Sequence, residues 1–277
     1  MRIARFEGPT GRHWGFVDGD MIRAVTIGPE LVDILGDDDL MTSVNRSSDS
    51  IYDLSEVRLL APLEAPPQFI GVGLNYRDHA SESGFEVPAQ PVTFGFLRNA
   101  IVGPGDAICL PPFTSRVDWE AEMAIVIGRG GKDIPAAEAL SHVAGYTIVN
   151  DVSARDLQAS EGQWTRAKSF NGFKPMGPWI VTTDEIGAAA DLDISLTVNG
   201  VIKQASNTRE LIFDVPYLVS HLSRATTLLP GAVISTGTPA GVGISRQPPE
   251  YLKAGDEVSI SIDGIGTLAN PVVNGAG

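Results

Sequence analysis

Two glutamates near the middle of the chain are the first candidates for chemistry. Glu120 and Glu122 lie in the segment VDWEAEMAIVIG, residues 117–128, whose later residues are almost all apolar. On a strand, side chains two residues apart point to the same face, so the two carboxylates would lie side by side. Buried carboxylates repel each other and need a cation or a shared proton. On spacing alone, a solvated strand end with two outward-pointing acids is the simpler interpretation.

A third acid strengthens the case for a metal site. Residues 145–149 predict an apolar strand that ends at Asp151, and Ser153 would begin the following helix as its N-cap. Acids at strand ends beside helix starts are common binding-site positions in such folds. Three carboxylates without a neighbouring Cys or His favour a divalent metal held by oxygen. We therefore expect Glu120, Glu122 and Asp151 to bind Mg²⁺, with Mn²⁺ or Ca²⁺ as alternatives.

Polar residues just after Asp151 would hold a substrate. Arg155 and Gln158 are three residues apart and would share a helix face. Such a pair is more often solvated, but beside an acid cluster it would bind a carboxylate or a carbonyl group. Lys168, in the segment AKSFNGF, is either a surface residue or, near the acids, part of a hydrogen-bonded network that holds their charge.

The segment GVGLNYRDHASESG, residues 71–84, contains the candidate acid–base pair. His79 and Glu82 are three residues apart and would be neighbours on a helical turn. A glutamate that orients a histidine makes a general base that works near neutral pH, although a surface pair is the simpler interpretation of the spacing alone. Tyr76 and Arg77 are candidate substrate-binding residues in the same segment. The glycines on both sides fit the hinges of a mobile lid.

A glycine-rich turn near the C-terminus is a further candidate for ligand contact. The segment STGTPAGVG, residues 235–243, lacks the lysine of a P-loop and the helix of a dinucleotide fingerprint, which argues against nucleotide binding. Its closely spaced glycines would let the backbone and the Thr238 hydroxyl approach a small ligand. Thr238 is therefore a candidate substrate-binding residue.

The elements that must position these residues are mostly short strands. The chain has 30 glycines and 19 prolines, which indicates many turns. Asn199-Gly200 and Asp263-Gly264 each lie between alternating runs and predict hairpins with type I′ turns. Four helices are predicted, over residues 77–83, 136–142, 153–160 and 214–222. The fold class is a β-rich α+β protein whose sheet is antiparallel or mixed.

A proline-rich connector divides the chain. The segment APLEAPP, residues 61–67, is a stiff linker because proline fixes φ and removes backbone donors. We predict a small N-terminal β-rich domain over residues 1–65 and a catalytic domain over residues 66–277.

Composition excludes several classes of partner. The 277 residues carry a net charge of −14, and no segment concentrates Lys and Arg, which argues against nucleic acid and against anionic membranes. No apolar run approaches the ~20 residues of a membrane span, and the first residues do not resemble a signal peptide. The single cysteine, Cys109, excludes an intrachain disulfide and fits a reducing cytoplasm.

Four segments, taken together and in order, resemble the fumarylacetoacetate hydrolase family. They lie between about residues 68 and 271 and read GVGLNYRDHASE, VDWEAEMAIVIG, NDVSARDLQ with AKSFNGFKPMGPW, and STGTPAGVG. The resemblance implies a catalytic domain with a mixed β-roll, barrel-like core, usually in a homodimer. It also implies a divalent metal on Glu120, Glu122 and Asp151, and a small organic acid as substrate.

The resemblance also implies roles for individual residues. His79 and Glu82 match the pair that activates water in hydrolytic members, and Lys168 matches the family lysine beside the metal. Arg155 and Gln158 match its substrate-facing positions. One position departs from the pattern: the family often has Asp after Lys-Ser-Phe, where this chain has Asn171. Loss of that charge would change a hydrogen bond or a water position near the site.

The first functional hypothesis is a metal-dependent hydrolase that cleaves C–C bonds in small 2-oxo or diketo acids, such as acylpyruvates, through a metal-bound enolate. The alternative is a decarboxylase, tautomerase, isomerase or lyase that acts on oxaloacetate-like or diketo sugar acids at the same site. A catalytically silent small-molecule binder is a third hypothesis, and the complete set of candidate residues argues against it.

Overall fold

The N-terminal part of the chain forms a meander of strands with two short helices. The computed structural model describes residues 1–47, 50–84 and 86–275. The strands are β1 (Arg2–Gly8), β2 (Gly11–Asp18), β3 (Met21–Val25), β4 (Ser50–Asp53) and β5 (Arg58–Leu60). The helices are α1 (Leu31–Ile34) and α2 (Asp38–Ser47), and a 3-10 turn spans Leu54–Glu56. The sequence did not predict α1 or α2, because the second lies in a largely polar stretch.

The rest of the chain contains most of the strands. They are β6 (Phe69–Gly73), β7 (Val92–Gly95), β8 (Ile101–Val102), β9 (Ile108–Leu110), β10 (Val117–Asp118), β11 (Ala121–Ile127), β12 (Val143–Asn150), β13 (Ser153–Ala154), β14 (Lys174–Thr182), β15 (Asp193–Val198), β16 (Val201–Asn207), β17 (Val233–Ser235), β18 (Glu257–Ile262) and β19 (Gly266–Asn274). The helices are α3 (Arg77–Ser83), α4 (Arg155–Glu161), α5 (Trp164–Ala167), α6 (Thr183–Ile186) and α7 (Val215–Ala225). Further 3-10 turns span Arg98–Ala100, Ala136–His142, Thr208–Glu210 and Gly243–Ser245.

Three sheets organise these strands. The largest has the order β4-β3-β2-β1-β14-β12-β11-β17-β6-β7, with β5 beside β1 and β8 beside β14. The second has the order β16-β15-β18-β19-β9, and β10 pairs with β13. Most pairs are antiparallel, but β17–β6, β14–β8 and β19–β9 are parallel. The prediction of a β-rich α+β protein with mixed, roll-like sheets is confirmed. The largest sheet has two ends, so it is not a closed barrel.

The N-terminal strands continue the main sheet. Strand β1 pairs with β14, with Arg2 opposite Val181 and Ile3 opposite Ile180. The main sheet therefore contains strands from both sides of the predicted boundary at residue 65. The division into two domains stays a prediction.

The core lies around the two central strands. Every residue of β11 is buried, and so is every residue of β12. Burial on both faces explains why the later residues of β11 do not alternate with polar ones. Carboxylates carried by these strands are therefore placed inside the protein, not on its surface.

The two predicted hairpins form, with different turns. Asn199 and Gly200 have φ values of 53° and 75°, as a type I′ turn between β15 and β16 requires. In the loop of the second hairpin, Gly264 has a positive φ of 74° but Asp263 does not, and Ile265 N–H donates to Ile262 O. The type I′ prediction was wrong there, since β19 begins at Gly266 and leaves a three-residue loop.

The predicted helices are all helical or nearly so. Helix α3 has the predicted bounds, and α7 begins one residue after Asp214, whose carboxylate accepts from Tyr217 N–H. Residues 136–142 form a 3-10 helix instead of an α-helix. Ser153 is not a helix cap: it lies in β13, and its hydroxyl donates to Asp151 O. No helix among the described residues is long and apolar enough to span a membrane.

Candidate active site

Adjacent core strands bring the three predicted acids together. Glu120 lies just before β11 and Glu122 within it, while Asp151 directly follows β12, which pairs with β11. Asp151 N–H donates to Glu120 O at 2.9 Å, which fixes their separation. One carboxylate oxygen from each of Glu120, Glu122 and Asp151 lies within 4.8 Å of the other two, and all three residues are at least 95% buried. The alternative of outward-pointing, solvated acids is therefore excluded.

Lys168 joins two of these acids. Its ammonium donates to Glu120 Oε2 and to Asp151 Oδ2, both at 2.7 Å, and to Ser153 Oγ at 2.8 Å. Burial opposes the positive charge, but Asp151 and Glu120 raise the pKa of Lys168 above its ordinary value. Lys168 is therefore a fixed cation within the cluster and not a surface lysine.

A second lysine, which the sequence analysis did not single out, also contacts the cluster. The Lys174 ammonium lies 2.7 Å from Asp151 Oδ1 and is completely buried. It also donates to Val152 O and to Phe173 O, each at 2.9 Å, and lies 4.8 Å from the centre of the Phe96 ring. Burial lowers the pKa of Lys174 to about 8, although Asp151 opposes the shift.

Arg155 belongs to the same network. Its Nε donates to Asp118 Oδ2 at 2.8 Å, and its Nη2 lies 2.7 Å from Glu120 Oε1. Asp118 is fully buried and also accepts from the backbone N–H groups of Gly243 and Ile244. Asp118 therefore holds Arg155 and the 243–245 turn in place, and is not at the rim of the site.

The charges of the two glutamates differ. Burial would raise the pKa of Glu120, but Lys168 and Arg155 lower it to about 2. Burial raises the pKa of Glu122 well above its ordinary value, and Asp151 and Glu120 add to the shift. Glu122 Oε2 accepts from Ser235 Oγ at 2.5 Å and from Gly237 N–H at 3.0 Å. Glu122 is thus the acid whose negative charge is least compensated.

The donor set fits a divalent metal. Three carboxylates converge without Cys or His, which is the chemistry that Mg²⁺, Mn²⁺ and Ca²⁺ prefer. Asp151 Oδ1 is buried and has the Lys174 ammonium 2.7 Å away, so a metal bound through this oxygen would share it with that cation. A cation here would also relieve the excess negative charge that raises the pKa of Glu122.

Helix α3 carries the candidate acid–base pair. His79 Nδ1 lies 3.5 Å from Glu82 Oε2, which is long for a hydrogen bond, and Nδ1 has no other partner. Both Glu82 oxygens accept from Gly241 N–H at 3.1 Å. Burial opposes the charge of Glu82, but the contacts with His79 and Gly241 lower its pKa. Asp78 accepts from Ser206 Oγ at 2.6 Å and further anchors the helix.

The glycines around α3 have different physical roles from the hinges that the sequence suggested. A Cβ at Gly71 or Gly73 would approach ring atoms of Phe94 or Trp164 to 2.5 Å. These two glycines therefore allow close packing of β6 under aromatic rings. Gly84 adopts φ 68° and ends the helix, a conformation that favours glycine.

The carboxylate cluster and His79 line the same cavity. Its volume is about 360 Å³, and Glu120, Glu122, Asp151, Lys168 and His79 line it. The rest of the lining is largely apolar, with a few polar groups: Val72, Gly73, Leu74, Phe94, Arg155, Gln158, Ala159, Trp164, Thr238, Val242 and Ile244. This combination of an apolar wall and a few convergent polar groups is typical of a small-molecule site. A larger groove, of about 810 Å³, contains none of the predicted site residues.

Comparison with known proteins gives the family. The family described as "Fumarylacetoacetate (FAA) hydrolase C-terminal" matches residues 68–273, and the one described as "Rv2993c-like, N-terminal" matches residues 1–62. The chain belongs to the fumarylacetoacetate hydrolase family. It is an enzyme of that superfamily, whose members generally use a divalent metal.

Relatives in this family carry different activities in their names. A mitochondrial oxaloacetate tautomerase of Bos taurus is 41% identical over 288 residues, which cover 99% of this chain and 92% of the bovine protein. The structure of 5-carboxymethyl-2-hydroxymuconate delta-isomerase from Mycobacterium smegmatis has 41% identity and a TM-score of 0.83 over the whole of both chains. A fumarylacetoacetate hydrolase from Exiguobacterium antarcticum has 40% identity and a TM-score of 0.87 over 99% of each chain.

Some of the remaining predicted residues line the cavity and others do not. Gln158 and Thr238 line it. Gln158 Oε1 accepts from Arg155 Nη1 at 2.9 Å, and Thr238 Oγ1 accepts from Gln204 at 2.8 Å. Because the Arg155 guanidinium already contacts two carboxylates, it is less available for a substrate carboxylate than the family resemblance implies.

Tyr76 and Arg77 do not line the cavity. Tyr76 is fully buried in the core, and its hydroxyl has no hydrogen-bond partner. Burial raises the pKa of Tyr76, and the charges of Glu122 and Asp78 add to the shift. Arg77 is exposed and donates to Leu211 O at 3.0 Å, so it anchors α3 from outside. The positions of both residues argue against direct substrate contact.

Asn171 is also outside the cavity lining. Its side chain is exposed and its Oδ1 accepts from Asn99 Nδ2 at 2.9 Å. An effect of this departure from the family pattern on the site stays a prediction. An aspartate here would accept the same hydrogen bond.

Proposed function

We propose that this enzyme catalyses keto–enol tautomerisation of a small 2-oxo acid. The observation that carries the proposal is a single cavity into which a buried, charge-paired carboxylate cluster and His79 both project. The bovine relative named for oxaloacetate tautomerisation and the mycobacterial one named for isomerisation support this reading over the hydrolase hypothesis. Tautomerisation and isomerisation both need a proton to leave one atom and return to another.

A divalent metal held by Glu120, Glu122 and Asp151 would polarise the oxygen of the substrate's carbonyl group. Lys168, fixed by three acceptors, keeps Glu120 and Asp151 at a set separation and adds a positive charge where negative charge develops on the substrate. Gln158 lines the cavity, and its amide N–H groups are free to donate to the substrate's carboxylate.

His79 is the proposed proton carrier. Its Nδ1 is directed toward Glu82, which leaves Nε2 for the substrate. In the proposed reaction, Nε2 takes the proton from the carbon beside the carbonyl group and gives it to the carbonyl oxygen, which yields the enol. The same two transfers in reverse convert the enol to the ketone. An imidazole can both accept and donate a proton, and the Glu82 carboxylate would stabilise the protonated ring.

Hydrolysis of a C–C bond is the second candidate. The same His79–Glu82 pair would activate water, and the relative from Exiguobacterium antarcticum is named a fumarylacetoacetate hydrolase. Hydrolysis differs in needing room for a water molecule between His79 and the substrate's carbonyl carbon. Decarboxylation of an oxaloacetate-like acid at this site would need no such water.

A product survey separates these reactions. The metal-loaded enzyme is incubated with enol oxaloacetate, a set of acylpyruvates and diketo sugar acids, and the decay of enol absorbance is followed together with the carbon products. The proposal expects faster decay of the enol with the carbon skeleton intact. Release of pyruvate and a carboxylic acid from an acylpyruvate at a comparable rate would favour the hydrolase, and CO₂ release would favour a decarboxylase.

A further inference from the structure

Buried cations contact four of the six carboxylate oxygens of the triad. Glu120 has Arg155 at one oxygen and Lys168 at the other, each at 2.7 Å. Asp151 has Lys168 at Oδ2 and Lys174 at Oδ1, again at 2.7 Å. A metal ion that binds these acids must therefore share their oxygens with positive groups that are already in place.

Of these three cations, Lys174 alone lies outside the cavity lining, and its side chain is completely buried. Its contacts with two backbone carbonyl oxygens and the Phe96 ring hold the ammonium against Asp151 Oδ1, so it cannot turn toward solvent when a metal arrives. The atom it contacts is a carboxylate oxygen of Asp151, one of the three acids of the proposed metal site.

The charges of the cluster indicate how Lys174 affects metal binding. Four buried carboxylates, those of Asp118, Glu120, Glu122 and Asp151, lie beside three buried cations: Arg155, Lys168 and Lys174. A divalent ion would make this cluster positive by one charge. Without Lys174, the same ion would bring it to neutrality. Like charges a few ångströms apart in a buried site repel strongly, because little water screens them.

We propose that Lys174 is a built-in counterion that holds the triad together in the metal-free protein and weakens the binding of a divalent metal to it. This inference rests on the proposed metal site. It makes the metal an exchangeable ligand whose occupancy follows its free concentration, and it gives the metal-free enzyme a stably folded site.

Lys174→Met tests the proposal, because methionine has a similar length and flexibility but no charge. The matched control is Lys132→Met, whose side chain is 56% exposed. Each protein is stripped with a chelator and titrated with Mn²⁺ by calorimetry at pH 7, and its thermal unfolding is followed in chelator and in saturating Mn²⁺. We expect Lys174→Met to bind Mn²⁺ at least about 10-fold more tightly than the wild type. Its melting temperature should fall in chelator and recover in Mn²⁺, while the control behaves as the wild type.

Each other result has a defined meaning. Wild-type binding with equal or weaker binding by Lys174→Met would overturn the role of Lys174 and leave the metal site intact. Absence of Mn²⁺ binding in both proteins would contradict the metal site and the inference with it. If Lys174→Met folds in neither condition, Lys174→Gln takes its place, since its amide can still donate to Val152 O and Phe173 O. The same tightening is expected for Lys174→Gln, and unchanged affinity would overturn the proposal.

Discussion

The carboxylate cluster and helix α3 contribute to one cavity but are built differently. Glu120, Glu122 and Asp151 project from paired core strands, are almost fully buried and contact fixed cations or hydrogen-bond donors. His79 and Glu82 lie on a seven-residue helix, with side chains 12% and 26% exposed and 3.5 Å apart. The cluster is therefore held by several short polar contacts, whereas the α3 pair is more exposed and its two side chains are farther apart. We therefore expect metal binding to depend on the cluster and proton transfer on α3.

The largest effect is expected for a substitution in the carboxylate cluster. Glu122→Gln keeps the size of the side chain but removes the charge that a metal needs. Binding of Mn²⁺ should weaken by more than the roughly 100-fold that losing a supporting residue costs at a metal site, and activity should be lost with it. Calorimetric titration measures the affinity.

The control for this substitution is Glu257→Gln, at an exposed position of β18. The same change of charge there should leave both Mn²⁺ affinity and turnover at wild-type values. Wild-type affinity in Glu122→Gln would remove Glu122 from the metal site.

The next largest effect is expected for a substitution in α3, which should change turnover but not metal binding. His79→Ala should slow turnover by roughly 10²–10⁴-fold, the usual range for loss of a positioned base. Mn²⁺ affinity should stay near the wild-type value, because His79 is not among the acids of the cluster. Glu82→Gln should slow turnover less, since Glu82 acts through His79. These rates are measured on the substrate that the product survey identifies, and undiminished turnover in His79→Ala would show that another group moves the proton.

Part of this contrast could be predicted from the sequence. The spacing of Glu120 and Glu122, the strand before Asp151 and the bounds of α3 all follow from local periodicity, which the structure retains. Lys174 could not be singled out, because a lysine before a proline has no local pattern. Its burial depends on the pairing of β14 with β12 and on the ring of Phe96, which is distant in sequence.

The pairing of Arg155 with Asp118 could not be predicted from the sequence for a similar reason. Its partner Asp118 is 37 residues away and is brought close only when β10 pairs with β13. Helices α1 and α2, which connect β3 to β4, were also missed. Their buried residues, among them Leu31 and Met41, are few and widely spaced.

A smaller effect concerns the pH dependence of the cluster. The pKa of Glu122 in the folded, metal-free protein is raised above its ordinary value of 4.5. Between these two values the folded protein keeps a proton that the unfolded chain releases, so the free energy of unfolding should fall as pH rises through this window. Mn²⁺ affinity should rise over the same window, because the metal needs the ionised carboxylate.

Urea denaturation in chelator at a series of pH values measures this contribution as the difference between wild type and Glu122→Gln. The amide does not titrate, so the difference should change with pH above 4.5. Parallel curves for the two proteins would mean that Glu122 is ionised in the metal-free protein.

The smallest effect is expected outside both groups. Asn171→Asp keeps the hydrogen bond from Asn99 on an exposed loop. The free energy of unfolding should change by no more than about 0.5 kcal/mol, and turnover and Mn²⁺ affinity should be unchanged. A clear change in turnover would show that residue 171 influences the site through a path that the side-chain contacts do not reveal.

The most direct test of the account is the position of the metal itself. Crystals grown with Mn²⁺ would locate the ion in an anomalous difference map. We expect a peak bonded to oxygens of Glu120, Glu122 and Asp151, in the cavity that His79 also lines. A peak at another site, or no peak at a Mn²⁺ concentration that saturates binding in solution, would contradict the central claim that the buried carboxylate cluster is the metal centre.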